Sequence, residues 1–353
     1  MRRSSASFSA SSRGMRAFSL VSMLVGLALG VLAGIVAFMT FRIASVAYRD
    51  IVGHVMVEER GHRALAVLAH AIRHAGHVTP VTSSVTSSVT SSVTLPAEED
   101  GRRDGDTAAS PMGFGAAQFA TPPAPIVGHD DCGVMLADND CARAGVERSD
   151  ALRVRLSGSG RPDDPTLPDG TMSDCGGYAL PARAESSPHE SAAVQRYARN
   201  VFYIGRATDG VPQLMCRYPV HRDGRISGTR YTQGALVRGV ETMQFRYGLD
   251  ADDDGVIEDF VRADEVHALG ASAWHAVRAV RIALVMRGER LGRVAGRNPE
   301  GLHSGARHTL TLFDPAVSAD DRFTPSRHLD RRRHVFTTIV RLRNASSCRE
   351  AAC

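Results

Sequence analysis

Phe18 to Phe41 is a run of 24 residues without one charged side chain. As a helix it is long enough to cross the hydrocarbon core of a bilayer, which takes about 20 apolar residues. A purely cytosolic chain is thereby disfavoured. Arg2, Arg3, Arg13 and Arg16 precede the run with no acidic companion, while Arg42 and Arg49 follow it. The positive-inside tendency puts the leader in the cytoplasm and the rest of the chain across the membrane. A secretory signal would have a shorter apolar core, of about 7–15 residues, and a small-x-small cleavage site beyond it. This run is longer and shows no clean site there, so a signal anchor fits better. The leader also explains the charge. The chain has 42 basic and 38 acidic residues, and removing the four leader arginines leaves 38 of each. No bulk basic excess remains to bind nucleic acid.

Within the run Gly26, Gly30 and Gly34 recur every four residues. Such a small-xxx-small ridge lets helices approach closely; the plainer reading is that glycine is common in membrane helices. Beyond Phe41 the helical period continues through Val52, Val55, Met56, Leu65, Leu68, Ala69 and Ile72, with Glu58, Glu59, Arg60 and Arg63 on a polar face. No proline interrupts Phe18 to Val78, Gly76 suits a terminus, and Pro80 forbids much continuation. The pattern predicts a helix of about 58 residues ending near Ala75, roughly 85–90 Å long. Half of it must leave the membrane and pack on a globular head. His54, His62, His70, His74 and His77 lie along it; with no acid or cysteine near them and no HExxH pattern, they read as solvated or core-edge histidines rather than metal ligands.

Val81 to Thr94 repeats Val-Thr-Ser-Ser in tetrads, a period that matches neither a strand nor a buried helix face. Charge, glycine and Pro122, Pro123 and Pro125 follow, so 78–125 reads as a flexible low-complexity insertion. From 126 to 353 the pattern turns strand-like. Leu152, Val154 and Leu156, the run Val201–Ile204, then Met243, Phe245 and Tyr247, then Val280, Ile282, Leu284 and Met286, and finally Phe336, Thr338, Val340 and Leu342 read as half-buried antiparallel strands. One sheet face would cover the emerged half of the helix, an α+β head. The run Arg331-Arg332-Arg333 reads as a solvated strand start, and Trp274 as a core or edge residue.

The junction Arg16-Ala17-Phe18-Ser19-Leu20-Val21 resembles the class III signal of type IV prepilins. In that family a membrane peptidase removes the leader on the cytoplasmic side and N-methylates the new terminus. The resemblance implies cleavage between Ala17 and Phe18, leaving residues 1–17 as leader, 18–41 as a membrane and filament-core helix and 42–77 as its amphipathic continuation. Pilins usually carry Glu at the fifth mature position; here it is Ser22. A buried carboxylate there offsets a neighbouring N-terminal ammonium in low dielectric, and serine does not. The tip-most pseudopilin of type II secretion also lacks that Glu; the alternative is a lineage that tolerates the loss.

Four further blocks are similar to the PilW family of minor pilins. Ala71-Ile72-Arg73-His74-Ala75-Gly76-His77 resembles the end of its helix. Leu236-Val237-Arg238-Gly239-Val240-Glu241-Thr242-Met243-Gln244-Phe245-Arg246-Tyr247-Gly248, followed by an acidic turn, resembles its central block. Ala279–Val285 and Arg333–Asn344 resemble its later strands. The resemblance implies a structural protein that initiates or caps a type IV pilus. It implies other minor pilins, the pilus-associated adhesin, the major pilin, the inner-membrane assembly platform and prepilin peptidase as partners. It implies a single-pass protein with a cytoplasmic N-terminus and periplasmic head, then a place in the pilus at the cell surface, and no cofactor requirement.

All six cysteines lie in the head, which fits an oxidising compartment, and their spacing is unlike a zinc site. Six cysteines allow 15 pairings. The PilW resemblance favours Cys175 with Cys216, leaving Cys132 with Cys141 and Cys348 with Cys353. No Cys-His or Ser-His setting stands out for nucleophilic catalysis. Asp250, Asp252, Asp254 and Gly255 form D-x-D-x-D-G, with Glu258 at loop position nine. Alternate carboxylates around a tight glycine turn suit calcium, although Val261 stands where an EF-hand has its bidentate Glu. A solvated Asp/Gly-rich turn is the other reading. Two functions compete with the minor pilin: the corresponding type II secretion pseudopilin, and a membrane-anchored periplasmic protein of other activity.

Overall fold

The polypeptide enters as a single helix, α1 (Leu20–Arg73), of 54 residues and roughly 80 Å at 1.5 Å per residue. The computed structural model describes residues 20–77, 124–136, 140–164, 166–182, 198–222, 225–290, 309–313, 321–329 and 331–344. Residues 1–17 with the Ala17–Phe18 junction, the tetrad repeat, Cys348 and Cys353 lie outside them.

In the first half of α1 the Leu, Val, Ile and Phe side chains are exposed. The second half buries a stripe made of Val57, Gly61, Ala64, Leu65, Leu68, Ala69, Ile72 and Ala75. Val55 and Met56, expected in that stripe, face outward instead. The stripe runs through Gly61 because the head presses hardest there: a Cβ on Gly61 would lie 2.4 Å from the Phe336 ring. Hydrophobicity alone gives a glycine no weight, so the sequence pattern drifted by a residue or two.

α1 ends by a glycine cap. Gly76 has φ +72°, a conformation that costs other residues more. Its N–H donates to the Arg155 carbonyl at 2.9 Å, and the Asn344 amide donates to the Ala75 carbonyl at 3.3 Å. The helix end is thus fixed by two segments far away in sequence.

Two antiparallel sheets receive the helix, where the sequence pattern predicts one. The first has the order β1-β2-β3-β4-β5: β1 (Ile126–His129), β2 (Ala151–Leu156), β3 (Ala198–Arg206), β4 (Pro212–Arg222) and β5 (Arg225–Arg238). The second contains β6 (Val240–Leu249), β7 (Asp259–Val261), β8 (Val277–Arg290) and β11 (Arg331–Arg341), in the order β11-β8-β6-β7. Between β7 and β8 lie a short helix, α2 (Ala263–Ala268), and a 3₁₀ turn at Ala271–His275. Strands β9 (Leu310–Thr311) and β10 (Arg322–Phe323) form a separate two-stranded ribbon. The chain changes sheets at Gly239, φ +95°, whose N–H donates to Pro212 O and whose carbonyl accepts from Arg287 N–H, both 2.8 Å.

Of the strands read as half-buried, β6 and the middle of β8 are covered on both faces, while β11 keeps one exposed face as expected. Met243, Phe245, Tyr247, Ile282 and Leu284 belong to the main core with the helix stripe. On the opposite face Ala283 and Val285 pack against Leu312, Phe313 and Phe323, and Arg246 pairs with Asp321. The β9–β10 ribbon therefore acts as a lid over the second sheet. Trp274 is 2% exposed, its ring edge-on to Tyr247 and its N–H donating to His267 Nδ1 at 3.3 Å.

Under this layer sits an acid that forms no ion pair among the described residues. Asp150 is buried, accepting the Phe245 N–H at 2.8 Å and the Asp131 N–H at 3.2 Å. Burial, and then the charge of Asp130, push its carboxyl well above the usual range despite those two amides. The folded state therefore holds the Asp150 proton more tightly than the unfolded chain. Its stabilising contribution is full below the unfolded pKa and is lost as pH rises through the folded one. As pH rises above the unfolded value of about 4, wild type should lose stability relative to Asp150→Asn. Thermal melts of the two proteins over a pH series check this; wild type gaining on the variant as pH rises would refute it.

Candidate functional site

The exposed half of α1 carries most of the exposed large apolar side chains among the described residues. Over Leu20–Arg73 the helix is long and apolar enough to cross a membrane. Gly26, Gly30 and Gly34 have nothing within 4 Å of where a Cβ would stand. At a spacing of four they lie along one side of the helix, leaving a shallow groove for another helix to approach. Ser22 is exposed two residues after the first described position.

Where helix meets head, Glu58 joins them. Its Oε1 lies 3.1 Å from His334 Nδ1 on β11 and 3.8 Å from His54 Nδ1, and its Oε2 lies 3.7 Å from His62 Nε2. Of the five helix histidines, His54 and His62 thus do have an acid one helical turn away, contrary to the sequence reading. Exposed pairs of this kind add little stability each, on the order of 0–1 kcal/mol. They orient the helix rather than hold it.

Deeper in the second sheet, Glu241 is the buried charge that matters. Arg333 Nε and Nη2 donate to its two oxygens at 2.5 and 3.0 Å, and Arg287 Nη1 stands 3.6 Å away. All three side chains are at most 8% exposed. Arg333 also donates to the carbonyls of Arg327 and His328. The Arg331–Arg333 run is therefore no solvated strand start. Arg333 points into the sheet as the counter-ion of Glu241, while Arg332 faces solvent.

Two disulfides are present. Cys132 joins Cys141 nine residues on, and Cys175 joins Cys216 41 residues on. The second staples the turn after Met172 to β4. Beside it Asp174, fully buried, accepts from Gly176 and Tyr178 N–H at 2.8 and 3.0 Å and meets His221 Nε2 at 2.8 Å.

At the far end of β6 the acidic loop turns back into β7. One carboxylate oxygen each from Asp250, Asp252, Asp254 and Glu258 falls within 4.8 Å of the others. Asp250 is buried and the other three are exposed. Arg278, on β8, binds Asp250 Oδ2 at 3.1 Å and also pairs with Asp253. Burial works against the Asp250 charge, but the Arg278 contact and the Gly255 N–H outweigh it and hold the carboxyl below the usual range.

The family model described as Type IV Pilus-assembly protein W, PilW, matches residues 201–344. Residues 201–344 are similar to PilW sequence. The match runs from β3 through β11 and takes in Cys216, the Gly239 switch, the Glu241–Arg333 pair and the acidic loop. Over that stretch the chain is similar to type IV pilus-assembly proteins, and it has an α+β fold with a long apolar N-terminal helix that suits membrane anchoring. Among solved structures it is similar to a type IV-like pilin from Thermus thermophilus, at 12% identity and a TM-score of 0.29 over 63% of this chain and 86% of that one. No curated protein matches.

Three residues that pattern reading missed lie within the matched stretch. Gly239 and Glu241 stand inside the central block, where the one turns the chain between sheets and the other buries a charge. Asn344 closes the last block and caps the carbonyl end of α1. The β4–β5 hairpin had a local signal, the dipeptide Asp223-Gly224 between its strands.

Proposed function

We propose that this PilW-type chain is a minor pilin that takes part in initiating or capping a type IV pilus. The observation that carries the reading is the division of α1. Its second half is locked into a PilW-type head, while its first half is bare, apolar and grooved by Gly26, Gly30 and Gly34. A helix of that kind has two media open to it, lipid and other helices. Leaving lipid for a bundle of neighbouring helices exchanges one apolar surrounding for another, so packing at small residues decides the association. Assembly, not catalysis, is then the mechanism. In this reading prepilin peptidase cuts between Ala17 and Phe18, the head stands in the periplasm, and the inner-membrane platform lifts the subunit into the filament.

Ser22 supports a place at an end of the filament. An interior subunit needs an acid at this point to meet the ammonium of the neighbouring N-terminus in a low-dielectric core. A subunit with nothing beyond it does not. The partners that follow are the other minor pilins, the major pilin below and the pilus-associated adhesin at the tip.

Deleting the gene and counting surface filaments tests this. Few or no pili, restored by the intact gene and not by a Gly26→Leu/Gly30→Leu/Gly34→Leu version whose head still melts normally, is expected. Normal piliation would contradict the proposal. Loss of type II secretion with normal pili would move the chain to the pseudopilins.

A further inference from the structure

We propose that the loop from Asp250 to Glu258 is a calcium site, with Asp250, Asp252, Asp254 and Glu258 as carboxylate ligands and the Val256 carbonyl as a main-chain ligand. The acidic spacing alone would not carry this; the condition of Asp250 does. Its side chain is 1% exposed. Its Oδ2 takes Arg278 Nε at 3.1 Å and the Gly255 N–H at 3.2 Å. Its Oδ1 is buried and meets no hydrogen-bond donor among the described residues. A buried anionic oxygen without a donor is costly, and native proteins meet such atoms with a donor, a water or an ion. Three more carboxylates stand within 4.8 Å, which points to an ion.

The remaining contacts leave room for one. Asp252 Oδ1 accepts from Asp254 N–H at 3.3 Å, Asp254 Oδ1 from Val256 N–H at 2.7 Å, and Glu258 Oε2 from Ala251 N–H at 3.2 Å. An ionised carboxylate has about four lone-pair sites, so one amide bond does not exhaust it. Asp250, Asp252, Asp254, Val256 and Glu258 occupy positions 1, 3, 5, 7 and 9 of a loop whose position 6 is Gly255, φ +86°. Calcium accepts 6–8 oxygens at about 2.3–2.6 Å in flexible geometry, with water completing the shell; magnesium demands a near-ideal octahedron and gives up its water reluctantly. Position 12 is Val261, already in β7, so the bidentate ligand is missing. The affinity then belongs to the extracellular class, Kd about 10⁻⁴–10⁻³ M.

The ion would tie the end of β6 to β7, the edge strand of the second sheet. This proposal stands whether or not the chain assembles into a pilus. Its test is calorimetric titration of calcium chloride into the full chain in detergent after treatment with chelator, with thermal melts alongside. One saturable site, a higher melting temperature in calcium and a response to magnesium at least about tenfold weaker are expected. Asp252→Asn/Asp254→Asn, at exposed positions, should abolish the calcium-dependent rise while melting like wild type in chelator; Glu258→Gln provides an independent second variant. No saturable binding at about 10 mM calcium, equal binding of magnesium, or unchanged binding in both variants would overturn the proposal.

Discussion

Replacing Glu241 by alanine should destabilise the head by about 3–5 kcal/mol, because it strands a buried positive charge. Arg333 and Arg287 both face that carboxylate, and neither side chain is more than 8% exposed. The attraction itself is largely offset by the desolvation of the three groups. What the variant reveals is the cost of leaving guanidinium groups in a closed sheet with no partner. For a head of this size the loss corresponds to roughly 10 °C in melting temperature. Adding Arg333→Met to Glu241→Ala should recover part of it, since the double variant removes one of the stranded charges. Denaturant unfolding of the three proteins measures the differences. A loss under about 1 kcal/mol for Glu241→Ala would mean a solvated pair and contradict the buried arrangement.

The second large effect belongs to the Cys175–Cys216 disulfide. It closes a loop of 41 residues, for which the chain-entropy relation gives about 4 kcal/mol; Cys132–Cys141, closing nine, should contribute about 2.5 kcal/mol by the same relation. Cys175→Ala/Cys216→Ala should accordingly cost more than Cys132→Ala/Cys141→Ala. The difference has a structural counterpart. Cys216 is fully buried on β4, and the turn that it anchors holds the Asp174–His221 contact. Losing the staple frees that turn and lets water reach a buried acid. Equal melting temperatures for the two double variants would refute the ranking.

Much of the architecture was legible because apolar period is a local property. The uncharged run, the helical repeat to Ile72 and the alternation of Met243, Phe245 and Tyr247 each record which side of an element meets the core. Features that depend on distant partners left no such record. Glu241 and Arg333 are 92 residues apart, and Arg333 sits in a basic triplet whose local reading is a solvated one. The lid over Ala283 and Val285 comes from two-residue strands that are too short to show a period. β4 and β5 contain Pro219, Gly228 and Gly234 among polar residues, so alternation is broken where the strands bulge, as between Pro219 and His221. Gly61 was invisible for the opposite reason: its contribution is the absence of a side chain under Phe336.

The acidic loop shows how far a motif reaches. Spacing alone identified the four carboxylates and the glycine. It could not show that Arg278 would neutralise one side of Asp250 and leave the other oxygen unmet, since Arg278 comes from β8. Chemistry that depends on one residue's two oxygens facing different partners is written in the fold.

The account stands most directly on the mature N-terminus. Mass spectrometry of the protein from cells with and without prepilin peptidase reads it in one experiment. N-methylated Phe18 in the first and an intact leader in the second is the predicted result. A chain that begins at Met1 or Arg2 in both would contradict the pilin reading and leave a membrane-anchored protein with a PilW-type head.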